Sequence, residues 1–305
     1  MTRHLAAVIP LVAFLTLSPL LVGVVNRVKA VFAGRTGAPL LQPYRDLRRL
    51  LGKQAVYSRT TTWVFRAGPV VGLASVVAAG LLMSFGGAPA LLPFPGDFVL
   101  FAYLLGLGRF FTALAALDTG SSFEGMGAAR EVTFASFAEP ALFLCLVVLV
   151  RATGSLSLSG MLRAGLPGIW HRQGPALLLA GVALLAVALA ENARIPVDDP
   201  NTHLELTMIH EVMVLDHSGP DLALIQYGAS LKLFLLGALV VRLALGFPFA
   251  SPWQSLAVFL GGMALFAVVV GAVESTTARL RLARVPQLLV AASVMGAFAL
   301  VLVLR

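Results

Sequence analysis

The residues best placed to do chemistry are acids in apolar surroundings. Glu139 lies in Phe137-Ala138-Glu139-Pro140-Ala141-Leu142-Phe143, a turn or two inside an apolar helix, and Glu191 closes the apolar run 184–190. A carboxylate at membrane depth costs about 2.5–3.5 kcal/mol on insertion scales, so it normally pairs, faces water or carries protons. Desolvated carboxylates hold a proton more readily, which is what a proton relay requires. Arg109 and Lys232 also fall inside predicted spans and are candidate counter-charges, although spacing alone does not pair them with particular acids. Of the fourteen acids, eleven fall in two segments. Asp118, Glu124, Glu131 and Glu139 occupy one, while Glu191, Asp198, Asp199, Glu205, Glu211, Asp216 and Asp221 occupy the other.

The second segment has a helical pattern of its own. Over 202–214, His203, Leu206, Ile209, His210 and Met213 recur at helical spacings, which puts His203 and His210 on one face with Glu211 beside them. The spacing is not H-E-x-x-H and no metal site is expected; histidines of this kind are structural or handle protons. Ile195-Pro196-Val197-Asp198-Asp199-Pro200 forces extended or turn backbone ahead of it. Asn201 or Thr202 then offers an N-cap, and Ser218-Gly219-Pro220 is expected to stop the helix. Residues 40–51 mix Leu40, Leu41, Leu47, Leu50 and Leu51 with Arg45, Arg48 and Arg49. Such a basic amphipathic stretch suits either headgroup anchoring or docking of an acidic partner.

These groups must be held by membrane helices. Of 305 residues, 59% are hydrophobic and only 12% charged, against about 25% charged in soluble domains. That excludes a solvated enzyme, a disordered chain and a nucleic-acid-binding domain. The single cysteine, Cys145, leaves no disulfide or cysteine-ligated cluster to build. Runs of about 20 apolar residues predict eight spans, near 5–25, 66–85, 97–117, 134–152, 174–190, 225–246, 253–272 and 286–304. The fold expected is an all-α integral membrane protein, one polytopic domain over 1–305 with short amphipathic helices. Fourteen of the 22 Lys and Arg residues border the loops after odd-numbered spans, and five lie on the opposite side. The loops near 26–65, 118–133, 191–224 and 274–285 are therefore expected in the cytoplasm and both termini outside. The net charge of +8 then reflects orientation rather than nucleic acid.

Three segments carry a resemblance. The string Ala190-Glu191-Asn192-Ala193-Arg194-Ile195-Pro196-Val197-Asp198, with Glu205 shortly after, is similar to an A-E-x-x-R-x-P-x-D loop. The segment from Gly34 to Tyr44, which includes Ala38-Pro39-Leu40-Leu41-Gln42-Pro43, is similar to a G-x-x-L-L-Q-P loop after a first helix, and residues 118–131 match a loop before a fourth helix. In order and spacing they resemble the membrane-anchor subunit of complex I and its counterparts in membrane-bound [NiFe] hydrogenases. Residues 206–221 lean to the hydrogenase branch, that of formate hydrogenlyase subunit 4, hydrogenase-4 component C and energy-converting hydrogenases.

The resemblance implies a non-redox membrane subunit of an oxidoreductase complex in a prokaryotic inner membrane. Its partners would be the hydrogenase large and small subunits, antiporter-like membrane subunits and the bilayer. The [NiFe] centre and iron–sulfur clusters would reside in those partners, with no cofactor on this chain. By carry-over, Glu139, Glu191, Glu205 and Glu211 fall on or near a line of polar residues for proton (or sodium) movement, with Glu124, Glu131 and Asp216 as secondary members. Arg194 would organise the loop, and Arg45, Arg48 and Arg49 would dock the peripheral arm. The competing readings are a quinone-reducing complex I-like subunit and a stand-alone ion transporter. The lack of an internal repeat weighs against the transporter.

Overall fold

Backbone N–H and C=O groups inside a bilayer must bond within their own helix, so long apolar stretches dictate the architecture. The computed structural model describes residues 2–163, 166–198, 208–245 and 251–305, and among these there is no strand. In chain order the helices are α1 (Thr2–Phe32), α2 (Gln42–Leu51), α3 (Trp63–Leu81), α4 (Asp97–Asp118), α5 (Ser122–Thr153) and α6 (Leu158–Arg163). They continue with α7 (Leu166–Glu191), α8 (Gly219–Ala244), α9 (Pro252–Thr276) and α10 (Val285–Leu304). Among the described residues eight helices, all but α2 and α6, are long and apolar enough to cross a membrane.

Each expected span falls on one of these helices, and the largest differences are at the starts of α5 and α7, which begin well before the expected spans. The loop expected at 118–133 is mostly helix, because α5 starts at Ser122 and runs 32 residues. At 1.5 Å per residue that is about 48 Å, well beyond a hydrocarbon core of about 30 Å. Its first turns, bearing Glu124 and Glu131, therefore extend past the apolar stretch on the face of the loops after odd-numbered spans. The other early start is α7, which bends at Gln173 (φ −131°, ψ 26°), just before Pro175. A proline inside a helix removes one backbone bond and crowds the preceding turn.

Two sequence expectations need correction. The 202–214 helix is described only in its last part, since residues 199–207, including Glu205 and His203, lie outside the described residues. What is described of it ends in a single 3₁₀ turn, Glu211–Val214. Ser218-Gly219-Pro220 starts a helix instead of stopping one. Ser218 is the extended N-cap of α8, and Pro220 occupies its first turn, where a missing N–H removes no bond.

Loops after odd-numbered spans share one face and are tied together there. Asp118 accepts from Thr62 N–H (2.6 Å) and Phe65 N–H (3.2 Å), capping α3. Val56 N–H donates to Ser218 Oγ (3.0 Å), and Leu280 N–H to the Pro196 carbonyl (2.9 Å). The opposite face is tied by Asp97, which is fully buried and accepts from Ser157 Oγ (2.8 Å) and Leu158 N–H. Between the faces, Phe14, Phe85, Phe234 and Phe259 pack with ring centroids 5.0–6.3 Å apart, joining α1, α8 and α9. The basic stretch near 40–51 is helical, as expected, and forms α2 with Pro43 in its first turn. To reach it the chain doubles back along α1, so closely that a Cβ at Gly23 would lie 2.1 Å from the Leu40 carbonyl oxygen. Only glycine allows that approach.

Candidate functional site

The last turn of α7 sets the site. Arg194 N–H donates to the Leu189 carbonyl (2.9 Å) and Ala193 N–H to that of Ala190 (3.2 Å), with Ala193 at φ 52°. This is a Schellman cap, which needs a left-handed residue at that position, usually glycine. The cap keeps Glu191 on the helix and sends Arg194 away from it. Glu191 meets Lys232 Nζ at 2.8 Å and Arg109 Nη2 at 3.1 Å. Lys232 sits about 20 Å along α8 at 1.5 Å per residue, so α7 stops well inside the bundle. Irregular backbone at that depth is tolerated where it is buried in protein or lines a cavity.

Arg109 is the hub. Besides Glu191, its guanidinium contacts Glu139 (3.1 Å) and Glu131 (3.6 Å). Glu131 leads on to His210 Nε2 at 3.1 Å, an ion-pair approach angled poorly for a hydrogen bond. His210 Nδ1 lies 3.4 Å from Asp198, which Arg279 reaches at 2.8 Å. Asp198 also accepts from the backbone N–H of Ile209 (3.2 Å) and His210 (3.1 Å). The result is an unbroken series of charge contacts: Lys232, Glu191, Arg109, Glu139 and Glu131, His210, Asp198, Arg279. It runs from mid-bundle to the loops of the tied face. Burial opposes charge on His210, but Glu131 and Asp198 outweigh it and raise its pKa above the ordinary 6.5. Burial likewise works against the Asp198 carboxylate, yet His210 and Arg279 hold its pKa below the usual value.

Glu139 differs from the rest in its exposure. Its side chain is 49% exposed on the wall of the bundle, whereas those of Arg109, Glu131 and Glu191 are 8%, 9% and 5% exposed. Proline follows it on α5, so the carboxylate sits at a local break in the helix ladder.

One face of α5 grips the segment that carries His210. Glu124 accepts from Asp216 N–H (3.1 Å), and Arg130 Nη1 donates to the Met208 carbonyl (2.9 Å). Between them, a Cβ at Gly127 would meet Val212 Cγ1 at 2.3 Å and the Ile209 carbonyl oxygen at 3.0 Å. Gly127, one turn before Glu131, thus lets the segment settle on the helix. Gly127→Ala is expected to destabilise the chain by about 1–3 kcal/mol through overpacking and to separate His210 from Glu131. A lowered thermal midpoint together with faster hydrogen exchange over 208–217 would show it; unchanged exchange would refute the positioning role.

The remaining expected residues are placed as follows. Arg194 pairs with Glu274 (3.3 Å) on α9, and Glu274 also pairs with Lys29 (2.8 Å) on α1, forming a second buried cluster. Glu211 opens the 3₁₀ turn and lines the same cavity as His210. Asp216 contributes its backbone to Glu124 while the residue itself is exposed. Arg45, Arg48 and Arg49 are exposed on α2. His217 stacks on Phe65 at 4.0 Å, and its burial lowers its pKa. Lys29, Glu274 and Arg279 were not singled out in the sequence. Glu274 was discernible as the lone acid of an apolar span, whereas Lys29 and Arg279 are indistinguishable from flanking bases.

A cavity of about 650 Å³ opens onto the network, with Arg109, Glu131, Glu191, His210 and Lys232 on its wall. At about 30 Å³ per molecule it has room for roughly twenty waters. Among the described residues no three His, Cys, Asp or Glu side chains are arranged to hold a metal ion.

A family model described as NADH dehydrogenase matches residues 5–305. The chain belongs to the NADH dehydrogenase family. Within this family it is 32% identical to formate hydrogenlyase subunit 4 of Escherichia coli (strain K12), over 92% of each chain. It is 34% identical to hydrogenase-4 component C of the same organism, over 88% of this chain and 85% of that one. An NADH-quinone oxidoreductase subunit from Rubrobacter xylanophilus is further away, 28% identical over 68% of this chain and 62% of the other. These relatives bear out the resemblance and its hydrogenase branch. A chain of the membrane-bound sulfane sulfur reductase, an archaeal respiratory membrane complex, superposes with a TM-score of 0.83 at 19% identity, covering 99% of this chain and all of that one. It shares the fold of this family member.

Proposed function

We propose that the chain is the membrane-anchor subunit of a formate hydrogenlyase-type or related group 4 [NiFe] hydrogenase complex, linking electron transfer in a peripheral arm to proton translocation. The observation that carries this reading is the buried series of ion pairs from the tied loops to Glu139 on the bundle wall. Buried charges are costly unless paired and are poor evidence for stability alone, so a series of this length calls for a use. Protons would move between carboxylates and His210 through water in the adjoining cavity, and Arg109 and Lys232 would set how readily each acid lets go. Glu139, half-exposed at membrane depth, would be covered by a neighbouring membrane subunit, since lipid is a poor surrounding for a carboxylate. The chain itself would hold no redox centre. The excess of Lys and Arg on the tied face supports a cytoplasmic position for that face in a prokaryotic inner membrane, with the termini outside.

Affinity purification of the tagged chain from native membranes tests the reading. Co-purification of a nickel-containing large subunit, an iron–sulfur small subunit and an antiporter-like membrane subunit is expected; recovery of the chain alone would favour a stand-alone transporter. The cavity supports a second reading, since 650 Å³ lies within the roughly 300–1,000 Å³ range of small-molecule sites and would accept a quinone head. Turnover unchanged by quinone-site inhibitors would dismiss it.

The exposed arginines of α2 give a further test. Neutralising Arg45, Arg48 and Arg49 together to Gln is expected to release the peripheral arm from washed membranes at lower salt, because exposed charge contacts are screened within about 10 Å at 0.1 M. Unaltered salt release would remove the docking role from α2.

A further inference from the structure

Among the described residues, Glu131, Glu139, Glu191 and Asp198 face Arg109, Lys232 and Arg279. His210 lies between two of the carboxylates, with Nε2 3.1 Å from Glu131 and Nδ1 3.4 Å from Asp198. An imidazolium has a donor on each nitrogen and serves both acids at once, whereas a neutral ring serves one.

We propose that His210 is the proton-holding member of the network: it carries one exchangeable proton as imidazolium and passes it to Glu131 while Asp198 fixes the other ring nitrogen. The proposal rests on the proton-path reading above and assigns the position at which the proton waits. In the step, the Nε2–H bond breaks and an O–H bond forms on Glu131. The ring remains neutral with its Nδ1–H toward Asp198. Return of the charge requires a proton from water in the adjoining cavity. The poorly aligned Nε2 contact fits this role, because the transfer awaits a small rotation that brings donor and acceptor into line.

The surroundings of the ring are specific. From α5 it faces Glu131, with Arg130 bonded to the nearby Met208 carbonyl. Asp198 faces it from the turn after α7, and Arg279 stands behind Asp198 from the loop after α9. Lys232 on α8 acts on it at longer range, and Glu211 follows it in the chain. The carboxylates dominate, which is why the ring holds its proton above its ordinary range. Because the folded-state pKa is raised, the stabilisation from the imidazolium is complete below about pH 6.5 and is lost as pH rises through the raised value.

The assembled complex, labelled with ¹⁵N-histidine, provides the test. The chain has five histidines, and imidazole ¹⁵N shifts report protonation directly, with His210→Gln assigning the signal. One imidazolium persisting above pH 7 and vanishing in His210→Gln is expected. Its absence, with every histidine neutral at pH 7, would overturn the proposal. Proton pumping in inverted vesicles, driven by hydrogen evolution from reduced methyl viologen, reads the transfer. His210→Gln should lower pumping tenfold or more, and His210→Arg, which supplies the charge permanently, should lower it equally while assembly is retained. Asp198→Asn should shift the alkaline limb of pumping to lower pH. Wild-type pumping in His210→Arg would show that the charge serves structure only and would overturn the proposal. If Glu131→Gln and Glu191→Gln pump like wild type, the proton-path reading fails; if they are impaired and the His210 variants are not, only the assignment to His210 fails.

Discussion

Replacing Glu191 by Gln is expected to lower ion-coupled turnover by about 10²-fold, the ordinary contribution of a positioned proton carrier, while the complex still assembles. Glu191 is nearly isosteric with Gln, so the space at the end of α7 stays filled. What changes is the charge between Lys232 and Arg109, which approach it at 2.8 and 3.1 Å. Arg109 keeps Glu139 and Glu131, whereas Lys232 has no other carboxylate within ion-pair reach among the described residues. The single variant therefore carries a stability deficit from an uncompensated ammonium as well as a loss of turnover. Adding Lys232→Met separates the two. The double variant should recover thermal stability, because removing both members of a buried pair is far cheaper than removing one, and it should remain inactive in coupling. Recovery of coupled turnover in the double variant would mean that Glu191 is structural.

Arg109→Gln should be the most destabilising single change in the network. The guanidinium is 8% exposed and lies within 3.6 Å of three carboxylates. Its removal leaves Glu131 and Glu139, both on α5, with no permanent cation within ion-pair distance among the described residues. Breaking a buried pair by removing one partner costs about 3–5 kcal/mol, and here two acids lose their cation together. Arg109→Lys is expected to recover only part of the loss, since an ammonium cannot present the planar fork that reaches several acids at once. Thermal midpoints of the detergent-solubilised complex, with yield from membranes as a second measure, would show the order wild type, Lys, Gln. Equal midpoints for all three would mean that the acids are satisfied by water instead of by Arg109.

Much of this was legible before the structure, and the illegible parts have physical causes. Glu139, Glu191, Arg109 and Lys232 stood out because a charge in an apolar run is expensive wherever it occurs. Their pairing was not readable, because partners depend on the rotation and depth of separate helices, which sequence spacing on any one helix does not determine. The extent of α5 was hidden for a related reason. Runs of apolar residues end where Arg130 and Glu131 begin, although the backbone goes on as helix through them. Ser218-Gly219-Pro220 was misread because serine and proline signal a helix start as readily as a stop, and only the direction of the following chain decides. The second cluster escaped notice since Lys29 resembles any base flanking a span, until Glu274 and Arg194 are brought against it. The family, by contrast, was carried by loops rather than spans, because turns demand particular residues while an apolar span accepts many.

Glu139 offers the most direct test of the central claim that this network moves protons to a neighbouring subunit. Its side chain is 49% exposed, so Glu139→Gln should leave assembly and stability close to wild type. The measurement is the number of protons moved per hydrogen evolved, in inverted membrane vesicles supplied with reduced methyl viologen. Hydrogen evolution that continues with proton movement reduced to background is the expected result. An unchanged ratio of protons to hydrogen in Glu139→Gln, with the variant subunit confirmed in the complex, would contradict it.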